Sequence, residues 1–595
     1  MSSPSTSAAA PARDDRSINE ARELIERAHA AFVELRNFTQ EQVDRVVDAM
    51  AAAATANAEK LARMAVEETG YGVVEHKVQK NLFASKRVHE AIRGMKTVGV
   101  VREDRAQGIV EIAVPVGVVA AILPSTNPTS TAIYKILIAL KGRNTIVLSP
   151  HPTAMRCTCE AVSIMKQAAV AAGAPENVIC CFSTPSMAGT QELMRHRRTA
   201  VVLSTGGMSI VHAAYSSGKP AFGVGPGNVP AFIDRSADIA KAVADVVFGK
   251  TFDNGTICSS EQAIVAEEAI REPVLKELSS QGAYFLKPDE IVRLGQEMVN
   301  LEAHTINAKF VGKSAVKVAE LAGIRVPGST RVLVAQLDGV GREHPLSAEK
   351  LSPVLALYFV KDRAAALDTC QALLRFGGLG HTCAIHARDE QVIREYGLRM
   401  PAYRVVVNSP SPQGSIGSST NLFPAMTLGC GAAGGNITSD NISPLHLINL
   451  KRIAYEARPV TPASGSRQSP VASAETTAPA ATAACACGSS AAALALDEGR
   501  ATDGLHVAVS RAVERFLASR AQQAQAPAVA SAPTAVSAAP AIPARPKPRP
   551  VDFVSEAEVR AALKRREKIV VGKKTIVTPA ARDLAAEYDV FAVED

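Results

Sequence analysis

Apolar positions in this chain come in short β-branched runs separated by amphipathic stretches, and that alternation carries the first inference about its fold. Residues 109–123 (IVEIAVPVGVVAAIL) are rich in Val and Ile and long enough for one or two buried strands. Residues 144–148 (NTIVL) read as a short buried strand, and 153–172 fit a helix that leads to another strand at 177–182 (NVICCF). The apolar run 200–203 enters a glycine-bearing turn, STGGMS. Strand and helix alternating with short links predict a parallel sheet covered on both faces. Ligands of such sheets sit at the carboxyl ends of the strands, where STGG lies.

From about Glu456 the texture changes. Residues 460–484 and 521–550 are dominated by Ala, Pro, Ser and Thr, and cannot bury enough apolar surface to offset the entropy of ordering, so both read as linkers. Between them, residues 505–520 (LHVAVSRAVERFLASR) place Leu505, Val509, Val513, Phe516 and Leu517 on one helical face. Residues 551–595 open with a helical pattern of Val554, Val559 and Leu563, pass through a strand-like IVV and a Gly572 turn, and reach a helix start at TPAARDL.

Composition narrows the class. The 595 residues are 47% hydrophobic and 21% charged, as expected of a globular protein, and no run approaches the roughly 18 apolar residues of a membrane span. The N-terminus, MSSPSTSAAAPARDD, lacks the apolar core of a secretion signal. Ten cysteines without framework spacing predict free thiols in a reducing cytosol. A formal charge of +7 is small for this length, and with no Trp and no basic stripe interleaved with aromatics, nucleic-acid binding has no support.

Among the cysteines, Cys258 stands apart. It sits in TFDNGTICSSEQ, where Gly255 and small polar neighbours suit the tight, accessible turn that a reactive thiol needs. Cys157, Cys159, Cys180, Cys181 and Cys370 read as small fillers of helices and strands. Cys485 and Cys487 (CACG) form an incomplete ligand set, so no metal is assigned.

The body from residue 18 to 457 resembles the CoA-acylating aldehyde dehydrogenases, including the N-terminal half of the bifunctional aldehyde-alcohol dehydrogenases. The resemblance rests on PVGVVAAILPSTNPTS, TIVLSPHP, STGG, GVGPGN, FDNGTICSSEQ, EKLSPVLALY, GGLGHT and MTLGCGAAGGN, in the family's order. It implies an α/β aldehyde dehydrogenase fold with a variant Rossmann cofactor domain and an α/β catalytic domain; the tail, absent from a plain dehydrogenase, is expected from its composition to be flexible and to carry short amphipathic helices. The implied divisions are a disordered 1–17, an NAD-binding domain at 18–234, a catalytic domain at 235–430 and a return segment at 431–457 that completes a homo-oligomer interface. A linker at 458–504, the amphipathic helix at 505–520, a second linker at 521–550 and a small module at 551–595 follow. The chain beyond 457 is too short for an alcohol dehydrogenase half.

The same resemblance implies the chemistry. Cys258 matches the nucleophile and Asn127 the oxyanion donor. Thr205, Gly206 and Gly207 match the NAD site, with Ser149 and His151 near the adenosine end and Glu349 on a ribose. No G-x-G-x-x-G follows a strand, which fits a variant Rossmann turn. Hydrolytic relatives carry a Glu at the start of the GVGPGN stretch to activate water. Here Gly223 and Val224 stand in that register, and residues 221–228 contain no carboxylate. A thioacyl enzyme without that base awaits the thiol of coenzyme A as co-substrate. His381 is a candidate for assisting CoA deprotonation.

Acetaldehyde and propionaldehyde are the first expectations for the aldehyde, with a charged one such as sulfoacetaldehyde in reserve. The tail resembles an encapsulation peptide and a short module of bacterial microcompartments, implying shell proteins as partners and a cytoplasmic location inside the shell lumen. The competing readings are a catalytically minor scaffold gathering cargo through its tail, and a hydrolytic dehydrogenase. The joint presence of Cys258, Asn127 and STGG opposes the first; the missing Glu opposes the second.

Overall fold

β-Branched residues are stiff at χ1 and fit a pleated surface buried on both faces. Five such runs form a parallel sheet in the order Ile179–Cys181, Thr145–Ser149, Val118–Ile122, Thr199–Thr205, Ala221–Val224. A second parallel sheet has seven strands, in the order Ala283–Phe285, Val332–Gln336, Val354–Val360, Glu261–Glu267, Val229–Ile233, Cys383–His386, Val405–Val407. This is a computed structural model, and it describes residues 9–300 and 305–458, and 551–593 apart from 566, 579, 580, 583 and 586–589. Two units divide the chain, Met1–Gly465 and Ser466–Asp595. Among the described residues no helix is long and apolar enough to cross a membrane.

The run 109–123 becomes two strands in different sheets. Ile109–Pro115 pairs antiparallel with Gly99–Asp104 and with Ile448–Ala454, whereas Val118–Ile122 is the centre of the five-stranded sheet. At the break, the Gly117 N–H donates to Asn144 Oδ1 at 2.9 Å instead of extending a ladder. Asn144 is buried, and its Nδ2 donates to Leu447 O at 2.8 Å and to Ala139 O at 3.3 Å. One side chain thus joins the central strand, the end of the helix Pro128–Lys141 and the returning chain.

That helix is buried at every position, as a helix apolar all round must be. Pro128 opens it, at the one place where a missing N–H costs nothing. Its two buried lysines are satisfied locally. Lys135 Nζ donates to Ile122 O at 2.8 Å and Leu203 O at 2.9 Å, and Lys141 Nζ reaches Asp44 and Arg93 O.

Several boundaries need correction. The first helix runs Ala9–Leu35, so residues 9–17 are helical and not part of a disordered N-terminus. The expected division at 234 falls too late, because Val229–Ile233 already pairs inside the seven-stranded sheet. The helix expected at 153–172 is Met155–Ala171, after a 3₁₀ turn at Pro152–Ala154.

In the second unit, Val551–Val554, Ile569–Val577 and Phe591–Val593 form a parallel sheet in that order, with the helix Glu556–Arg565 in the first crossover. Val554, Val559, Ala562, Ala581, Ala585 and Val590 make its core. Val554 ends a strand and does not begin a helix. Gly572 lies inside Ile569–Val577, where the pairing register slips and its N–H donates to Thr575 Oγ1 at 2.9 Å; the expected turn is a bulge. From 459 onward, the linkers and the helix at 505–520 lie outside the described residues, as do Cys485 and Cys487.

Asn144→Ala strips partners from the Gly117 N–H and the Leu447 carbonyl. The expected loss of stability is about 2–6 kcal/mol, from about 1–3 for each of the two buried groups left unpaired. Urea unfolding followed by circular dichroism measures it, and an unchanged midpoint would show that Asn144 is not the joint described here.

Candidate active site

The helix Ile239–Thr251 ends at Phe252, and the chain then makes a left-handed turn, with φ of 51° at Asp253, 53° at Asn254 and 76° at Gly255. Asp, Asn and Gly tolerate this region best, yet three in succession need external support. The support is electrostatic. The Asp253 carboxylate, fully buried, accepts the Val73 N–H at 2.7 Å, Thr256 Oγ1 at 2.7 Å, Lys77 Nζ at 3.0 Å and Lys80 Nζ. Burial alone would raise its pKa; the two ammonium groups outweigh burial and hold it down at about 2.

Lys80 carries this charge toward Cys258. Its Nζ donates to Asn127 Oδ1 at 2.6 Å and to Thr256 O at 3.2 Å. Burial lowers its pKa to about 8 against the pull of Asp253. Asn127 sits at the start of the helix Pro128–Lys141, and its Nδ2 donates to Thr256 O at 3.0 Å and Thr126 Oγ1 at 3.3 Å. With Oδ1 held by an ammonium, the amide is fixed with its NH₂ toward the Thr256 carbonyl, two residues before Cys258.

Cys258 keeps some exposure, but its thiol is pushed up to about 12, first by burial and then by the charges of Glu349 and Cys430. The Glu349 carboxylate is itself raised to about 7 by burial, and its Oε1 accepts the Gly227 N–H at 3.2 Å. Gly227, in GVGPGN, packs so closely that a Cβ would collide with the Cys258 carbonyl oxygen and lie 3.2 Å from His381 Cγ. His381 is fully buried, pairs through Nδ1 with Thr382 Oγ1 and leaves Nε2 without a partner. Burial and the nearby Arg404 hold its pKa at about 3, so the imidazole is neutral and a weak base. The Arg404 guanidinium donates to the carbonyls of His381 at 2.7 Å, Gly429 at 2.5 Å and Ser439 at 3.0 Å. It ties the GGLGHT loop to the MTLGCGAAGGN loop.

Apart from Glu349, the candidate cofactor residues lie at the carboxyl ends of the two strands that flank Val118–Ile122. Thr205 ends one strand, Gly206 N–H reaches Val224 O at 3.3 Å, and Gly207 precedes the helix Met208–Tyr215. Thr205 Oγ1 is buried without a partner, and the space where Gly207 would carry a side chain is empty. Both features suit a nucleotide lying against this turn. On the other strand His151 is exposed, with Nδ1 on Thr153 Oγ1. Ser149 is different: it is buried and its hydroxyl pairs with Thr190 Oγ1 at 2.8 Å, so the fold spends on packing the group assigned to the adenosine end.

Gly223, which the resemblance places in the register where hydrolytic relatives carry Glu, has Val211 and Tyr215 packed beside it. A Cβ there would lie 2.9 Å from the Tyr215 ring, whose hydroxyl donates to Gly223 O at 2.8 Å and accepts Gly223 N–H at 3.1 Å. Tyr215, Arg404, Lys77 and Lys80 were not singled out from the sequence. Asp253 lies inside a recognised motif, but its lysine partners are more than 170 positions away and carry no local signature.

Residues 2–286 match the aldehyde dehydrogenase family. The acetylating aldehyde dehydrogenase of Geobacillus thermoglucosidasius is similar at 53% identity, covering 76% of this chain and 99% of that one with a TM-score of 0.74. The bifunctional aldehyde-alcohol dehydrogenase of Escherichia coli is 46% identical over 439 residues, which are 73% of this chain and 49% of the relative. The chain therefore spans about half the length of the bifunctional relatives it matches. A propionaldehyde dehydrogenase of Rhodopseudomonas palustris, solved with bound CoA and an acylated cysteine, is 29% identical, covers 73% of this chain and 97% of that one, and has a TM-score of 0.65. Motif register, the two parallel sheets and near-complete coverage of solved relatives agree: this chain belongs to the aldehyde dehydrogenase family, in its CoA-acylating branch.

Proposed function

We propose that the chain oxidises a small aldehyde with NAD and passes the acyl group from Cys258 to coenzyme A. Cys258 Sγ attacks the aldehyde carbon, and the oxyanion is met by the Cys258 backbone N–H and the Asn127 amide. A donor in that position is typically worth ~10²–10³ in rate. Thr205, Gly206 and Gly207 would hold NAD, with His151 and Glu349 on its outer parts, and the cofactor when bound would supply the hydride acceptor. The observation that carries the acylating reading is Tyr215 against Gly223: the room for a water-activating carboxylate is taken by a phenol already bonded to the backbone. The acyl thioester on Cys258 then persists until the CoA thiol displaces it.

NADH formation from acetaldehyde or propionaldehyde should require CoA and vanish in Cys258→Ala. Equal turnover without CoA would make the enzyme hydrolytic.

Because the Cys258 thiol is protonated far below a pKa of about 12, its thiolate fraction grows about tenfold per pH unit. Alkylation of Cys258 by iodoacetamide, followed by peptide mass spectrometry, should accelerate about tenfold for each pH unit, roughly a hundredfold between about pH 7 and 9. A flat rate would mean that the thiol is already ionised.

The tail belongs to this reading as a targeting device for a microcompartment shell, and residues 431–457 as an oligomer interface. Exposed Leu450, Ile453 and Tyr455 on the returning strand and its flank support the interface. Deleting 462–595 should leave CoA-dependent activity and the subunit number intact while abolishing co-sedimentation with shells. Lost activity would instead make the tail part of the enzyme.

A further inference from the structure

Two thiols outside the active site meet on the cofactor domain. Cys159 lies on the helix Met155–Ala171 and Cys181 ends the edge strand Ile179–Cys181, and their sulfurs are 3.0 Å apart. Both residues keep some exposure. Strand alternation turns the neighbouring Cys180 to the other face, where it is buried with Sγ on Asn177 O at 3.4 Å. Cys157 is likewise buried, with Sγ on Ala154 O. A disulfide needs about 2.05 Å between sulfurs, so closure asks for a movement of only about 1 Å between two packed elements.

We propose that Cys159 and Cys181 form a reversible disulfide, an oxidation site for hydroperoxides that is separate from Cys258. The Cys159 thiolate attacks one peroxide oxygen; the O–O bond breaks, leaving a sulfenic acid on Cys159 and hydroxide. The Cys181 sulfur then attacks the sulfenic sulfur, the S–O bond breaks, and the departing hydroxide takes the Cys181 proton as water. With hydrogen peroxide, the first hydroxide takes up the proton that the Cys159 thiol gave up, so that two thiols and one peroxide become one disulfide and two waters, and a dithiol reductant reverses the change. The hydrogen bond from Cys181 lowers the Cys159 pKa, which makes Cys159 the attacking partner, while Cys258 stays protonated. The bond would join a helix to an edge strand of the same domain and leave the catalytic turn untouched.

The test treats the full chain with one equivalent of hydrogen peroxide, blocks remaining thiols under denaturing conditions and maps peptides without reduction. The expected result is a Cys159–Cys181 cross-link that persists in Cys157→Ser, Cys258 recovered as a blocked thiol, and CoA-dependent activity retained. In Cys181→Ser, dimedone should trap a sulfenic acid at Cys159. Cys258 oxidised before the pair, a cross-link to Cys157 or Cys180 instead, or both thiols recovered unmodified would overturn the proposal.

Discussion

A buried carboxylate between two ammonium groups holds the candidate site together. Asp253 sits in a backbone conformation that three successive residues would not adopt unaided, and its oxygens accept bonds from Val73, Lys77, Lys80 and Thr256. The lysines come from the helix Val74–Leu82, so an N-terminal element sets the shape of a turn in the second half of the body. A buried ion pair adds little net stability compared with apolar packing, but losing one partner leaves a charge that costs about 3–5 kcal/mol. This asymmetry makes the cluster a geometric lock. Through Lys80 it also fixes the Asn127 amide against the Thr256 carbonyl, two residues before Cys258.

Around this lock, the loops approach until backbone touches backbone. Gly227 fits against the Cys258 carbonyl and in front of His381, and Arg404 gathers carbonyls from two glycine-rich loops. Close packing raises the Cys258 thiol and the Glu349 carboxyl and drives His381 down, so nearby titratable groups rest in their neutral forms at neutral pH or close to it. A neutral His381 is a poor match for a strong base, which shifts weight from acid–base chemistry at that residue to electrostatic positioning. Tyr215 packs against Gly223, with its hydroxyl bonded to the Gly223 backbone.

The parallel core was legible in the chain because each strand buries both faces and therefore reads as an unbroken β-branched run, as Val118–Ile122 and Thr145–Ser149 do. Where those runs stop pairing with one sheet and join another was not legible. The split of 109–123 depends on a hydrogen bond from Gly117 to Asn144, and the early start of the seven-stranded sheet at Val229 depends on partners more than 30 and 150 residues further on.

The sequence by itself singled out the candidates that consecutive residues carry: Cys258 in its turn, the absence of a carboxylate at the start of GVGPGN, the asparagine ahead of a proline, and the glycines at a strand end. Such motifs survive without the fold because turn geometry and reactivity are set within a few positions. Tertiary structure alone decided which distant groups neutralise one another. Lys77 and Lys80 on Asp253, Ser149 on Thr190, Tyr215 on Gly223 and Cys159 beside Cys181 each answer to burial, where an unpaired polar or charged group is costly and takes whatever partner the packing brings. That partner has no fixed distance along the chain, so no local pattern announces it.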